Sequence, residues 1–327
     1  MLFETGARAS EVIQLTIGNY RSRKSFQEAS AFNKGSHGKR VKFIRFSKET
    51  VKLLMQLGEM NKDMCTIVRK WGILLLLIII AALFFLGITS ISYHQEVFSL
   101  FVLMGLLILL FVNKEKRFVK SLLLSFLIGF VIFTVSNDFV GTMNIPKEIK
   151  IILNRLFLVF IIIGIVFNHL FFNKKVSWYN EKPDWKNPIV LPFHQVNTFW
   201  FWMIGIVVNV IIYVFFIVQK DIEYFQMLLL FCLFFSLINA VFEEVIWRGI
   251  LLSTLKEHTS TGYAVIVTSV GFGLLHLSIG FSISLSLLIS VAGVIYALIT
   301  LKTNSIYPSI VFHIVINIGM VYSGFII

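Results

Sequence analysis

The chain has 327 residues, 57% of them hydrophobic and only 14% charged, with 34 phenylalanines, far more apolar than a soluble domain. The formal charge of +12 does not by itself indicate nucleic acid, because lysine and arginine collect on the cytoplasmic loops of membrane proteins. Composition therefore excludes an ordinary soluble enzyme and predicts an all-α polytopic transmembrane helix bundle of about eight or nine spans, behind a small basic N-terminal extension.

No short apolar run with a small-residue cleavage site opens the chain, so a removable signal peptide is not expected, and targeting falls to the first apolar run, at Trp71. Cys65 and Cys232 have no CxxC or Cys/His spacing, so neither a disulfide framework nor a zinc cluster is expected. Roughly half of the 29 basic residues precede Trp71, and that segment needs its own explanation. Residues 1–59 contain ETGARASEVIQL and then NKGSHGKRVKFIRFSKETVKLL. This stretch resembles the start of the catalytic domain of the tyrosine recombinases, the phage integrase family. The resemblance implies that Arg8 stands where an arginine clamps the scissile phosphate, and Lys34 where a lysine on a glycine-turned hairpin acts as general acid. That family also needs a helical HxxR box and a tyrosine nucleophile, whereas here apolar runs follow Leu57 and the one HxxR, His37 to Arg40, sits inside the hairpin. The segment is read as a truncated, inactive remnant fused upstream of a membrane protein whose own start is Met60 or Met64. Nucleic acid is not expected as a partner.

From Trp71 onward the apolar runs reach the roughly 20 residues that a spanning helix needs. They are Trp71 to Ser92, Val97 to Val112, a short Ser121 to Val135, and Ile151 to Phe172. Then come Thr198 to Val218, Phe225 to Leu255, Gly262 to Ile279, Phe281 to Leu301 and Ser309 to Ile326. With the N-terminus in the cytoplasm, the clusters Lys114, Lys116, Arg117, Lys120 and Lys174, Lys175, Lys182, Lys186 both fall inside, leaving chiefly Lys147, Lys150 and Lys220 outside. The loop 173–197, with Trp178, Tyr179, Trp185 and three prolines, suits the membrane interface. Residues 60–197 are read as N-terminal spans and loops, and 198–327 as the functional core. No internal repeat suggests the duplicated halves of a transporter.

The span Phe225 to Leu255 places Glu243, Glu244 and Arg248 among Val, Ile, Trp and Leu. A charge in such a helix costs roughly 3 kcal/mol or more on insertion scales, so it persists beside a partner or for a task. Glu244 and Arg248 are four apart and face each other, which predicts an ion pair, whereas Glu243 is turned by about 100° and is expected to be unpaired. Desolvation makes an unpaired carboxylate a better base towards water. Phe272 and His276 share a face one turn apart in the next span, and His313 and Asn317 do the same in the last. Between them, Ser284, Ser286, Ser290, Gly293 and Tyr296 form a small-residue stripe expected to allow close helix packing.

The order EExxxR, FxxxH, small-residue helix, HxxxN resembles the CPBP family of intramembrane proteases, also called the Abi or CAAX protease and bacteriocin-processing family, which includes the type II CAAX prenyl proteases. The similarity covers roughly residues 195 to 325, with every core motif position filled. It implies that Glu243 and His276 activate a water for attack on a peptide carbonyl and that His313 and Asn317 stabilise the oxyanion. Glu244 and Arg248, with Phe272 beside them, hold the first helix in place. Metal-free chemistry is the preferred expectation, since HExxH is absent; a zinc or other divalent ion would use Glu243, His276 and His313. The expected partners are the lipid bilayer and a peptide or lipidated-peptide substrate in the plasma membrane, with a role in processing or in bacteriocin self-immunity; oligomeric state is left open. The rival is a non-catalytic immunity or binding protein that uses the same polar pocket.

Depth offers a check. At ~1.5 Å per residue Glu243 lies ~18 Å from Leu255 and His276 ~21 Å from Gly262, but His313 lies only ~6 Å beyond Ser309, so the last helix is expected to tilt or to begin earlier.

Overall fold

The computed structural model describes residues 28–32, 41–45, 71–191 and 194–326. The chain divides into two units, Met1–Leu77 and Ile78–Ile327. In the first, β1 (Glu28–Phe32) pairs antiparallel with β2 (Val41–Arg45), Glu28 opposite Arg45 and Phe32 opposite Val41. Lys34, Arg8, Cys65 and the His37–Arg40 motif lie outside the described residues.

Among the described residues, seven helical segments are long and apolar enough to cross a bilayer, and the two shorter apolar helices Glu96–Val112 and Tyr307–Tyr322 accompany them. This is a multi-pass membrane protein. In chain order the helices are α1 (Trp71–Ser92), α2 (Glu96–Val112), α3 (Arg117–Thr142), α4 (Lys147–Leu156) and α5 (Val159–Phe171). They continue with α6 (Thr198–Ile217), α7 (Ile222–Glu244), α8 (Leu252–His258), α9 (Thr261–Leu275), α10 (Ile283–Thr303) and α11 (Tyr307–Tyr322).

Several bounds differ from the hydropathy reading, each for a local reason. The short third span is a full 26-residue helix, because Asn137 and Asp138 continue α3 past the apolar run. The fourth begins at Lys147 behind Pro146 and breaks at Phe157–Leu158 into α4 and α5. The sixth runs on to His258 and changes at Val245–Leu251 into a π-helical turn, a form that recurs at functional sites. His276 does not continue α9 but opens a 3₁₀ turn, His276–Ile279, stopped by Gly280 at φ +91°. The last helix does begin earlier than Ser309, at Tyr307, with Pro308 in its first turn. Side-chain caps fix other starts: Asn197 Oδ1 accepts from Phe199 and Trp200 N–H, Ser260 Oγ from Tyr263 N–H, and Ser282 Oγ from Leu285 N–H.

Lipid cannot drive apolar helices together, so contacts rest on close approach and polar links. The small-residue stripe does this between α9 and α10. A Cβ at Gly273 would stand 2.2 Å from Ser286 O and 2.1 Å from Ser290 Oγ, and one at Gly293 would stand 3.0 Å from Ser269 Cα. An aromatic rail crosses the bundle: Phe84 of α1 meets Phe126 of α3 at 5.1 Å, Phe126 meets Trp247 of the π turn at 5.0 Å, and Trp247 meets Phe272 of α9 at 6.4 Å between ring centroids. By contrast α6 turns Val, Ile and Phe side chains outward, as a lipid-facing helix must.

The loop after α5 is folded onto the α10–α11 junction. Asp184 N–H donates to Thr303 O and Ile306 N–H to Tyr179 O, and the short pair β3 (Ile189–Leu191) and β4 (His194–Val196) leads into α6. The last helix thus starts beneath a folded segment, and Trp202 Nε1 donates to Pro308 O at 2.8 Å.

Candidate active site

The site is assembled where α4, α7, the π turn, the end of α9, α10 and α11 meet. Glu243 and Glu244 close α7, and both are fully buried. Arg248 lies one π turn on and donates from Nη1 to Glu244 Oε1 at 3.0 Å and from Nη2 to Gly293 O at 3.2 Å. Its guanidinium is sandwiched between the rings of Phe272, 4.2 Å from the centroid, and Tyr296, 4.8 Å. The predicted Glu244–Arg248 pair is therefore present, with two aromatic faces and a carbonyl around the guanidinium.

Glu243 is not the unpaired carboxylate that the sequence suggested. Arg155, near the end of α4, donates from Nη1 to Glu243 Oε1 at 3.2 Å. The other oxygen, Oε2, is buried without a hydrogen-bond partner, with His313 Nε2 at 3.7 Å. The correction is physical: two adjacent buried carboxylates need two cations, and helical spacing could reveal only the one supplied by the same helix.

His313 bridges the carboxylates. Its Nδ1 donates to Glu244 Oε1 at 3.0 Å while Nε2 faces Glu243, and its ring stacks on Tyr296 at 5.3 Å. The result is a continuous chain, Arg155–Glu243–His313–Glu244–Arg248, in which two guanidinium groups balance two carboxylates. Asn317, one turn further on, donates from Nδ2 to Ser236 O at 3.4 Å. His276 bonds through Nδ1 to Phe272 O at 2.9 Å. Since a carbonyl only accepts, the neutral ring carries its proton on Nδ1 and presents Nε2 as an acceptor. Phe272 packs edge-on against His276 at 5.1 Å and His313 at 5.9 Å, so one ring sets the spacing of both imidazoles.

A cavity of about 970 Å³ opens beside this network. Its lining includes Arg155, Asn239, His276, His313 and Asn317 together with Phe235, Ile289 and Met320. Lys147, Phe281 and Phe325 also line it. Asn154 Oδ1, Arg155 Nε and Asn239 Oδ1 are buried without hydrogen-bond partners, leaving polar groups for a peptide or water to satisfy. Sequence reasoning missed Arg155, Asn154 and Asn239. Arg155 could have been found by the rule applied to Glu243, since it too is a charge inside an apolar run.

The donor set does not suit a metal ion. No group of three or more His, Cys, Asp or Glu among the described residues is placed to hold one. One oxygen of each carboxylate is engaged by an arginine, and no step is derived through a metal.

Residues 225–319 match the family model described as Type II CAAX prenyl endopeptidase Rce1-like, and this segment contains Glu243, Glu244, Arg248, Phe272, His276, His313 and Asn317. No curated protein and no solved structure matches the chain. The CPBP resemblance is thus borne out where its motifs lie: over residues 225–319 the chain is similar to the type II CAAX prenyl endopeptidases of the Rce1-like family.

Proposed function

We propose that the protein is an intramembrane endopeptidase that hydrolyses a peptide bond with a water activated by Glu243 and His276. The observation that carries this reading is a carboxylate with one oxygen held by an arginine and the other, Oε2, free of hydrogen bonds, beside a cavity into which His276 faces. In the proposed step His276 Nε2 orients a water, Oε2 takes its proton as the oxygen bonds to the substrate carbonyl carbon, and on collapse of the tetrahedral intermediate the C–N bond breaks and that proton passes by way of His276 Nε2 to the leaving amine. His313, held on the cavity wall by its Nδ1–Glu244 Oε1 hydrogen bond, is the first proposed oxyanion donor, through Nε2. Asn317, on the same cavity wall, is the second proposed oxyanion donor. Glu244 and Arg248 act as the brace that keeps His313 in register.

Lys147, Phe281 and Phe325, which line the cavity, lie at the end of the bundle away from the lysine-rich connections after α2 and α5. With those connections in the cytoplasm, this end of the cavity lies on the outer side of the plasma membrane. A secreted or membrane-attached peptide fits that placement, and bacteriocin maturation or self-immunity is the setting we favour. The test is to reconstitute the purified protein in liposomes with a membrane-anchored reporter peptide, with and without a chelator. Cleavage that persists in chelator supports the proposal. A protein that binds the reporter but never cuts it would sink the catalytic reading in favour of an immunity or binding role, and chelator-sensitive cleavage would overturn the metal-free step.

A further inference from the structure

Arg155 lies outside the segment that matches the protease family and 88 residues before its partner. It is buried, and its guanidinium stands over the Phe235 ring at 5.8 Å while Nη1 holds Glu243 Oε1. It sits in the last turn of α4, where the chain breaks at Phe157–Leu158 before α5 begins. A cation there complements the helix dipole, and the break sets the height at which the guanidinium meets α7.

Charge accounting makes its presence significant. The matched segment contributes Glu243, Glu244 and Arg248 to the network, one negative charge in excess. A buried, unpaired carboxylate is costly, and a cation supplied by another element offsets that cost. α4 does so through a single contact to one oxygen, which leaves Oε2 aimed away from the guanidinium and towards the His313 side of the site. We infer that Arg155 is a positioning residue for hydrolysis: by clamping Oε1 it fixes the rotamer of Glu243 and assigns the base role to Oε2. The inference rests on Glu243 being the base.

The test uses the full-length protein in liposomes and five forms: wild type, Arg155→Gln, Arg155→Lys, Glu243→Gln, and Arg155→Gln combined with Glu243→Gln. Reporter cleavage gives kcat and KM, and thermal unfolding gives the midpoint. Loss of the clamp is expected to lower kcat by about 100-fold with KM little changed, the size expected when a reacting group is misplaced by about 1 Å. The lysine variant, which keeps the charge but not the fork, is expected to recover part of that loss. Wild-type cleavage with kcat unchanged in Arg155→Gln would overturn the inference. The thermal cycle, completed with Glu243→Gln alone, decides even if the reporter is never cut. Arg155→Gln should lower the midpoint in the wild-type background and hardly at all in the Glu243→Gln background. Equal losses in both backgrounds would overturn the pairing, whereas an uncut reporter with coupled midpoints would count against the protease reading instead.

Discussion

At Arg248 one guanidinium is held by a carboxylate, a carbonyl and two aromatic faces. Lysine could match the charge but not the planar fork or the stacking. Arg248→Lys is therefore expected to destabilise the protein by about 3 kcal/mol, near the low end for breaking a buried pair, as read by thermal unfolding in detergent. An unchanged midpoint would show that the brace is dispensable. Spacing made this pair legible, since Glu244 and Arg248 share a helix at i, i+4. The partner of Glu243 was not legible in the same way, because Arg155 approaches from α4 and only tertiary structure brings it near. The imidazoles were legible as residues and not as geometry: HxxxN places His313 and Asn317 on one face, but nothing in that spacing says that His313 will span two carboxylates.

The elements that matter most are those that depart from regular helices. The π turn at Val245–Leu251, the break at Phe157–Leu158 and the 3₁₀ turn at His276 each sit beside a site residue, and hydropathy is blind to all three. Hydropathy did find the spans, because a bilayer demands apolar length, and it failed chiefly at ends where polar residues such as Asn137 continue a helix into the cavity wall. The close approach of α9 and α10 gives a sharp prediction. Gly273→Ala would force a Cβ to within 2.2 Å of the Ser286 carbonyl, which cannot yield without moving α10. We expect a loss of about 1–3 kcal/mol, the usual cost of overpacking, together with reduced cleavage, because α10 carries Tyr296 against His313. Gly262→Ala, where a Cβ meets nothing within 4 Å, is the matched control and should be neutral or slightly stabilising. Equal midpoints for the two variants would contradict the packing account.

For the molecule as a whole, the arrangement of lysines and the cavity lining at Lys147 lead to one topological prediction. In a background with Cys65→Ser and Cys232→Ser, a single cysteine at Lys147 should react with an impermeant thiol reagent added to intact cells, and one at Lys114 should react only after permeabilisation. The reverse pattern would place this end of the cavity in the cytoplasm and remove secreted peptides as the substrate class.

The central claim is that Glu243 Oε2 is the base. Its most direct test compares single-turnover cleavage of the anchored reporter by wild type and by Glu243→Gln, a substitution that keeps the shape while removing the basic oxygen. The account predicts a loss of about 10²–10⁴-fold in the cleavage step with the protein still folded. Cleavage by Glu243→Gln at the wild-type rate would contradict it.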